Sequence, residues 1–215
     1  MENVKRVPYG VSDFVKVVER NQYYVDKTMY LPLLEEEADN LFFIRPRRFG
    51  KSVFISMLHA YYDLRTQDRF DAWFGDLWIG KHPTPLQGKF QVLHLDFSQV
   101  GGSIEKLEQN FNFYLGVELD GFIRDYQEYY NEQGEDVYWA ITHAEGFYRD
   151  IFKKFKGNFD RIFITGVSPV TLDDVTSGFN IGWHISTKPE FNQMLGFSTE
   201  DVRGMFTYYK EKGAI

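Results

Sequence analysis

Leu41-Phe-Phe-Ile-Arg-Pro-Arg-Arg-Phe-Gly-Lys-Ser52 carries the plainest structural signal in the chain. It opens on a four-residue apolar run, passes through an arginine-rich loop, and enters a segment whose Val53, Ile55, Met57, Leu58 and Tyr61 are spaced for a helix ending near Asp63. A short apolar run that leads through a loop into a helix is how a buried parallel strand reads. Laid over the phosphate-loop pattern G-x-x-x-x-G-K-[ST], Gly50, Lys51 and Ser52 fall in register, and Arg45 stands where the first glycine belongs. Gly50 permits a positive φ and close backbone approach, and the first amides of the new helix point at an anion. Lys51 then neutralises β/γ-phosphates and the Ser52 hydroxyl enters the shell of Mg²⁺. The bland alternative is a common tripeptide with Arg45, Arg47 and Arg48 on a solvated turn.

Outward from that stretch the chain alternates strands and helices. Val11 to Glu19 has helical spacing with Ser12 or Asp13 as N-cap, Tyr23 to Val25 reads as extended, and Met29 to Glu37 reads as a helix opened by Asp26-Lys-Thr28. Phe90 to Phe97 alternates and predicts a second strand, followed by a loop over Ser98 to Gly102. Ile104 to Tyr130 is a long helical stretch, Thr142 to Phe155 another, and Arg161 to Thr165 a third strand ended by Gly166. This alternation predicts an α/β layer fold with a mostly parallel sheet.

Composition bounds the chemistry. The 215 residues suit one compact domain, and 24 Lys+Arg against 31 Asp+Glu leave a net charge of −7. That balance argues against bulk attraction to nucleic acid or anionic lipid. With no cysteine, a disulfide framework, a thiolate nucleophile and a thiolate zinc site are excluded, which fits a reducing cytoplasm. No apolar run reaches membrane-spanning length. The five histidines are dispersed, with no i, i+4 pair to seed a metal site, and the surplus of 21 Phe and 14 Tyr predicts a ring-rich core.

The run Phe43-Ile-Arg-Pro-Arg-Arg-Phe-Gly-Lys-Ser52 resembles the signature of the prokaryotic AAA-ATPase-like family, whose ATPase domain usually precedes a PD-(D/E)XK nuclease-like domain. The likeness extends to Pro8-Tyr-Gly10, Tyr24-Val-Asp-Lys-Thr28, Leu93-His-Leu-Asp-Phe-Ser98, Thr142-His-Ala-Glu-Gly-Phe147, Phe163-Ile-Thr-Gly-Val-Ser-Pro-Val-Thr171 and Thr176-Ser-Gly-Phe-Asn-Ile181. It implies a P-loop NTPase three-layer sandwich, with residues 1–40 packing on a core of 41–200 and residues 201–215 starting a lid that is cut short. In that topology Leu41–Ile44 sits centrally beside Arg161–Thr165. The family's Walker B strand, an apolar run ending in acids before the Thr-His-Ala-Glu-Gly block, has no counterpart between Asn131 and Ala140. The length then reads as a deletion, and Phe90–Phe97 either pairs directly with Arg161–Thr165 or leaves the sheet open.

The resemblance implies ATP and Mg²⁺ as cofactors, bound through Arg45, Arg47, Arg48, Phe49, Gly50, Lys51, Ser52 and Val53, with Ser52 on the metal; Asp96, at the end of the second predicted strand, is the candidate substitute for the missing acids. Asp96 either takes a metal through water or caps the following loop. Neither Glu145 nor Asp173 and Asp174 offers a convincing substitute for the missing acids. Thr165 either senses the γ-phosphate or bonds backbone at a strand end. Asp26 and Lys27 either line the nucleotide or serve as cap and structure. Two readings remain: an ATPase using Lys51 and Thr165, with hydrolysis weakened by the missing strand, and a nucleotide-binding or interaction scaffold without turnover. A nucleic-acid-binding module stands third, and a nuclease-like domain or protein outside this chain is the implied partner.

Overall fold

Asn40–Ile44 forms a strand because Leu41, Phe42 and Phe43 are buried on both faces, and only a laddered backbone can be buried so completely. The computed structural model describes residues 4–126, 155, 157–167 and 182–214, with the side chain of Ile104 excepted. Its elements are α1 (Phe14–Glu19), α2 (Tyr30–Glu35), β1 (Asn40–Ile44), α3 (Lys51–Tyr62), α4 (Phe70–Phe74), α5 (Trp78–Lys81), α6 (Leu107–Asp125), β2 (Ile162–Gly166), β3 (Trp183–His184) and α7 (Thr199–Glu211). The protein is mixed α/β with a small parallel sheet of order β2-β1-β3, and Leu41 pairs with Trp183 and Phe42 with His184. The expected central place of β1 beside β2 is observed. None of the described helices is long and apolar enough to cross a membrane.

The chain divides into two compact units. The first holds residues 1–90, 163–169 and 183–215. Its core gathers Phe14 and Leu31 from α1 and α2, Leu41 and Phe43 from β1, and Phe54, Met57 and Tyr61 from α3. Phe14 is stacked on Phe74 with centroids 5.0 Å apart and meets Tyr24 edge-on at 5.1 Å. Such ring pairs add about 1 kcal/mol beyond area burial. Of the two N-cap candidates for α1, Asp13 is the one observed: its carboxylate accepts from Lys16 N at 3.3 Å. Asp26 does not cap α2. It accepts from Thr28 N and Oγ1 at 2.8 and 2.6 Å and from Trp78 N at 2.6 Å, so it ties the turn to the start of α5.

The second unit holds residues 91–162 and 170–182. Here the expected strand Phe90–Phe97 is corrected. Beyond a lone bridge between Asp63 and Phe90, the segment is irregular. Its period-two pattern is satisfied another way: Leu93, Leu95 and Phe97 pack against Phe111, Leu115 and Leu119 of α6. The extended backbone bonds tyrosine side chains, with Val92 N donating to Tyr126 Oη at 2.8 Å and Asp96 N to Tyr114 Oη at 2.6 Å. The sheet pairs β2 with β1 and is open, so of the two expectations direct pairing of this segment with β2 is not observed among the described residues. Of the helix expected over Ile104–Tyr130, a 3₁₀ turn is observed at Ile104–Lys106 and α6 over Leu107–Asp125, while residues 127–130 lie outside the described ones. The expectations for Asn131–Ala140, for most of Thr142–Phe155 and for Asp173 and Asp174 fall outside the described residues.

Within the first unit, α7 is held from its N-terminus. Ser198 and Asp201 form a capping box, and the buried Lys27 ammonium reaches Asp201 Oδ2 at 2.6 Å. Burial raises the Asp201 pKa, but hydrogen bonds from Lys27 and Ser198 outweigh it, so the carboxyl lies below its ordinary 3.8. A folded pKa below the unfolded one contributes stability that is complete above the ordinary value and lost as pH falls through the folded value. Lys27→Met leaves a largely buried carboxylate unpaired and is expected to cost about 1–3 kcal/mol, discounted from a fully buried pair because Asp201 is 19% exposed. Asp201→Asn is expected to lower the melting temperature at pH 7 and flatten its fall as pH drops below about 4. An Asn variant with the wild-type acid limb contradicts the assignment.

Candidate functional site

The chain leaves β1 at Ile44 and begins α3 at Lys51, so six residues must reverse from sheet to helix. Two left-handed residues make the turn, Arg48 at φ 67° and Gly50 at φ 80°. Gly50 is the N-cap, and a Cβ built on it meets nothing within 4 Å. Its requirement is thus conformational rather than steric. Alternating hands along a loop turn successive N–H groups to one side, which makes an anion-binding concavity at the start of a helix.

Lys51 closes the loop on itself. Its Nζ donates to Arg45 O at 2.9 Å and Pro46 O at 2.6 Å. Burial and then the nearby Arg47 charge lower its pKa from the ordinary lysine value. Ser52 is exposed on the first turn of α3, while Val53 is half-buried against the core of the first unit. Arg47 and Arg48 are exposed on the loop. Phe49 is also exposed, yet it touches the chain elsewhere: Gly196 N donates to Phe49 O at 3.0 Å, and a Cβ on Gly196 would come 3.0 Å from the Phe49 ring.

Arg45 points away from the loop mouth. Its Nη1 donates to Ile44 O at 3.0 Å and Ser186 O at 2.9 Å, its Nη2 to Phe191 O at 3.5 Å, and its Cζ lies 4.3 Å from the Phe43 ring centroid. Ile44 N donates to Ser186 Oγ at 2.8 Å. The segment Ser186–Gly196 therefore forms a wall of the loop that sequence reading missed. No pattern in it marks phosphate chemistry, and its contacts run through main-chain oxygens that any residue carries.

Thr165 lies on β2 and its Oγ1 donates to Phe43 O at 2.6 Å, while Arg45 N donates to Gly166 O at 3.2 Å. The structure so places Thr165 one strand over from the root of the loop, with its proton committed to backbone. Asp96 belongs to the second unit, where it caps a 3₁₀ turn by accepting from Ser98 N at 3.0 Å and Ser98 Oγ at 2.7 Å. The Ser98 hydroxyl is the largest influence that lowers its pKa. Of the two readings of Asp96, the cap is the one with observed bonds. Among the described residues, no three His, Asp or Glu side chains gather to hold a metal ion. Lys27 pairs with Asp201 and is not part of the loop.

Comparison with known proteins bears on this geometry. A family model described as "Predicted AAA-ATPase" matches residues 8–145. An "Uncharacterized protein in vnfD 5'region" of Azotobacter chroococcum mcd 1 is 36% identical over 88 residues, covering 37% of this chain. The chain spans 16% of that relative's length. No solved structure matches.

The open space around Gly50 makes a clean test of its role. Gly50→Ala is expected to lower stability in urea denaturation by about 1–2 kcal/mol, the cost of holding an L side chain in the left-handed region. Gly50→Asn should recover part of that loss, because asparagine tolerates the region better. Equal losses for the two variants would show that φ is not what selects glycine here.

Proposed function

The chain belongs to the predicted AAA-ATPase family, and we propose that its Arg45–Ser52 loop binds the phosphates of Mg·ATP within a P-loop NTPase core. The observation that carries this reading is the left-handed Gly50 opening α3 directly after the buried β1, with Lys51 as the next residue. In the proposal, the amides of Gly50 to Val53 donate to phosphate oxygens, helped by the positive end of α3. Lys51 keeps its two carbonyl acceptors and turns its third N–H to a β/γ-phosphate oxygen, a charged acceptor that favours binding. The Ser52 hydroxyl, exposed on the first turn, is the residue suited to a Mg²⁺ ligand. When bound, the metal supplies neutralising charge between the phosphates. Thr165 keeps acceptor capacity on its hydroxyl while it donates to Phe43 O, and orients a water or the γ-phosphate from β2. Arg47 and Arg48 add positive potential at the loop.

Hydrolysis by this chain is proposed to be slow. Phosphoryl transfer needs an acid to hold the metal shell and position water, and Asp96 has its carboxylate engaged by Ser98. That engagement favours a second reading, nucleotide binding without turnover. A further module, such as a nuclease-like domain, is proposed as what nucleotide binding controls, in a cytoplasm consistent with a cysteine-free chain.

Titration calorimetry with Mg·ATP tests the first step, and phosphate release tests the second. The expected result is saturable binding that Lys51→Ala weakens by about 10- to 100-fold, the worth of a charged hydrogen bond. Turnover is expected to stay far below about 1 s⁻¹. Absence of any binding heat across several temperatures sinks the nucleotide reading, and turnover near that rate sinks the claim of slow hydrolysis.

A further inference from the structure

An arginine where the phosphate-loop pattern has glycine needs a physical reason. Three observations give one. The main chain at Arg45 is fixed toward β2, since its N–H donates to Gly166 O at 3.2 Å. Its side chain is fixed on the other side of β1, by carbonyls of Ser186 and Phe191 and by the Phe43 face beneath it. The carbonyl of this same residue is one of the two that hold the Lys51 ammonium, and the adjoining Pro46 carbonyl is the other. Guanidinium, main chain and ammonium thus form one chain of contacts, in which the arginine acts on the lysine.

We propose that Arg45 is a positioning residue: it anchors the Arg45–Pro46 main chain to the Ser186–Phe191 segment, so fixes where Lys51 stands in the loop, and makes no contact with phosphate itself. This rests on the nucleotide-binding reading and deepens it by giving the arginine a role distinct from Arg47 and Arg48. The planar fork suits the work, because a guanidinium can serve several carbonyls and stack on a ring at once, which an ammonium cannot. The half-buried state of Arg45 agrees with a brace, and burial lowers its pKa from the ordinary arginine value without approaching neutrality at physiological pH.

A double-mutant cycle separates brace from ligand. Affinities for Mg·ATP are measured for the wild type, Arg45→Met, Lys51→Ala and the double variant; methionine keeps the apolar contact with Phe43 and removes the donors. The expected result is a loss of about tenfold for Arg45→Met in the wild-type background and less than about twofold in the Lys51→Ala background. Equal losses in both backgrounds mean that Arg45 acts independently of Lys51, and overturn the proposal.

A second readout needs no nucleotide. Lysine side chains are ¹³C-labelled and the mobility of the Lys51 ε-carbon is followed by NMR relaxation at one pH, with the Lys51 signal assigned by its loss in Lys51→Arg. In the wild type the Lys51 side chain, held by two carbonyls, should be more ordered than the exposed lysines. In Arg45→Met it should become as mobile as they are, and Arg45→Lys should lie between the two. An unchanged Lys51 mobility in folded Arg45→Met overturns the proposal, and Arg45→Lys carries both measurements where the methionine variant does not fold. If the wild type binds no Mg·ATP, the nucleotide reading fails, and the Lys51 mobility still decides the role of Arg45.

Discussion

Lys51 stands on the first turn of a helix, where unpaired amides already concentrate positive partial charge. An ammonium there is poorly placed unless acceptors come to it. The carbonyls of Arg45 and Pro46 do so, and the loop can present them only because the chain turns through left-handed Arg48 and Gly50. In the proposed reading, the amide donors at the start of α3 are what a highly charged anion would meet. Loop shape and lysine position follow from this one electrostatic constraint.

The constraint is maintained from outside the loop. Sequence-distant residues meet it at three points: Gly166 O on the Arg45 amide, the Ser186 and Phe191 carbonyls on the Arg45 guanidinium, and Gly196 against Phe49. Two residues after Gly196 comes Ser198, which caps α7, and Asp201 of that helix closes on Lys27. Lys27 in turn lies beside Thr28, whose Oγ1 accepts from Ile79 N at 3.1 Å. The first unit is therefore laced by polar contacts around an aromatic core, and the loop between β1 and α3 sits within that lacing rather than on a detached hairpin.

What the sequence made legible is what short-range chemistry dictates. β1, α3, β2 and the loop between β1 and α3 were readable because an apolar run, a left-handed glycine and a helix-period stripe act within a few residues. Phe90–Phe97 misled because alternation reports only that one side of a segment is buried. It does not say whether a neighbouring strand or, as here, the face of α6 does the burying. β3 is two residues long and left no pattern to read. Arg45 was legible as unusual but not as a brace, since its partners are backbone oxygens 141 and 146 residues away. Asp26 and Asp96 were each open between capping and ligand binding; each bonds the residue two places on, and Asp26 also accepts from the amide of Trp78, 52 residues away.

In the proposed reading the backbone of this loop receives phosphate. The direct measurement follows the ¹⁵N–¹H signals of Gly50, Lys51, Ser52 and Val53 during titration with Mg·ATP and, separately, with adenosine. Large downfield amide-proton shifts are expected at these four residues with Mg·ATP and none with adenosine, because new charged acceptors meet those N–H groups. Shifts elsewhere with these four amides unmoved at saturation would contradict it.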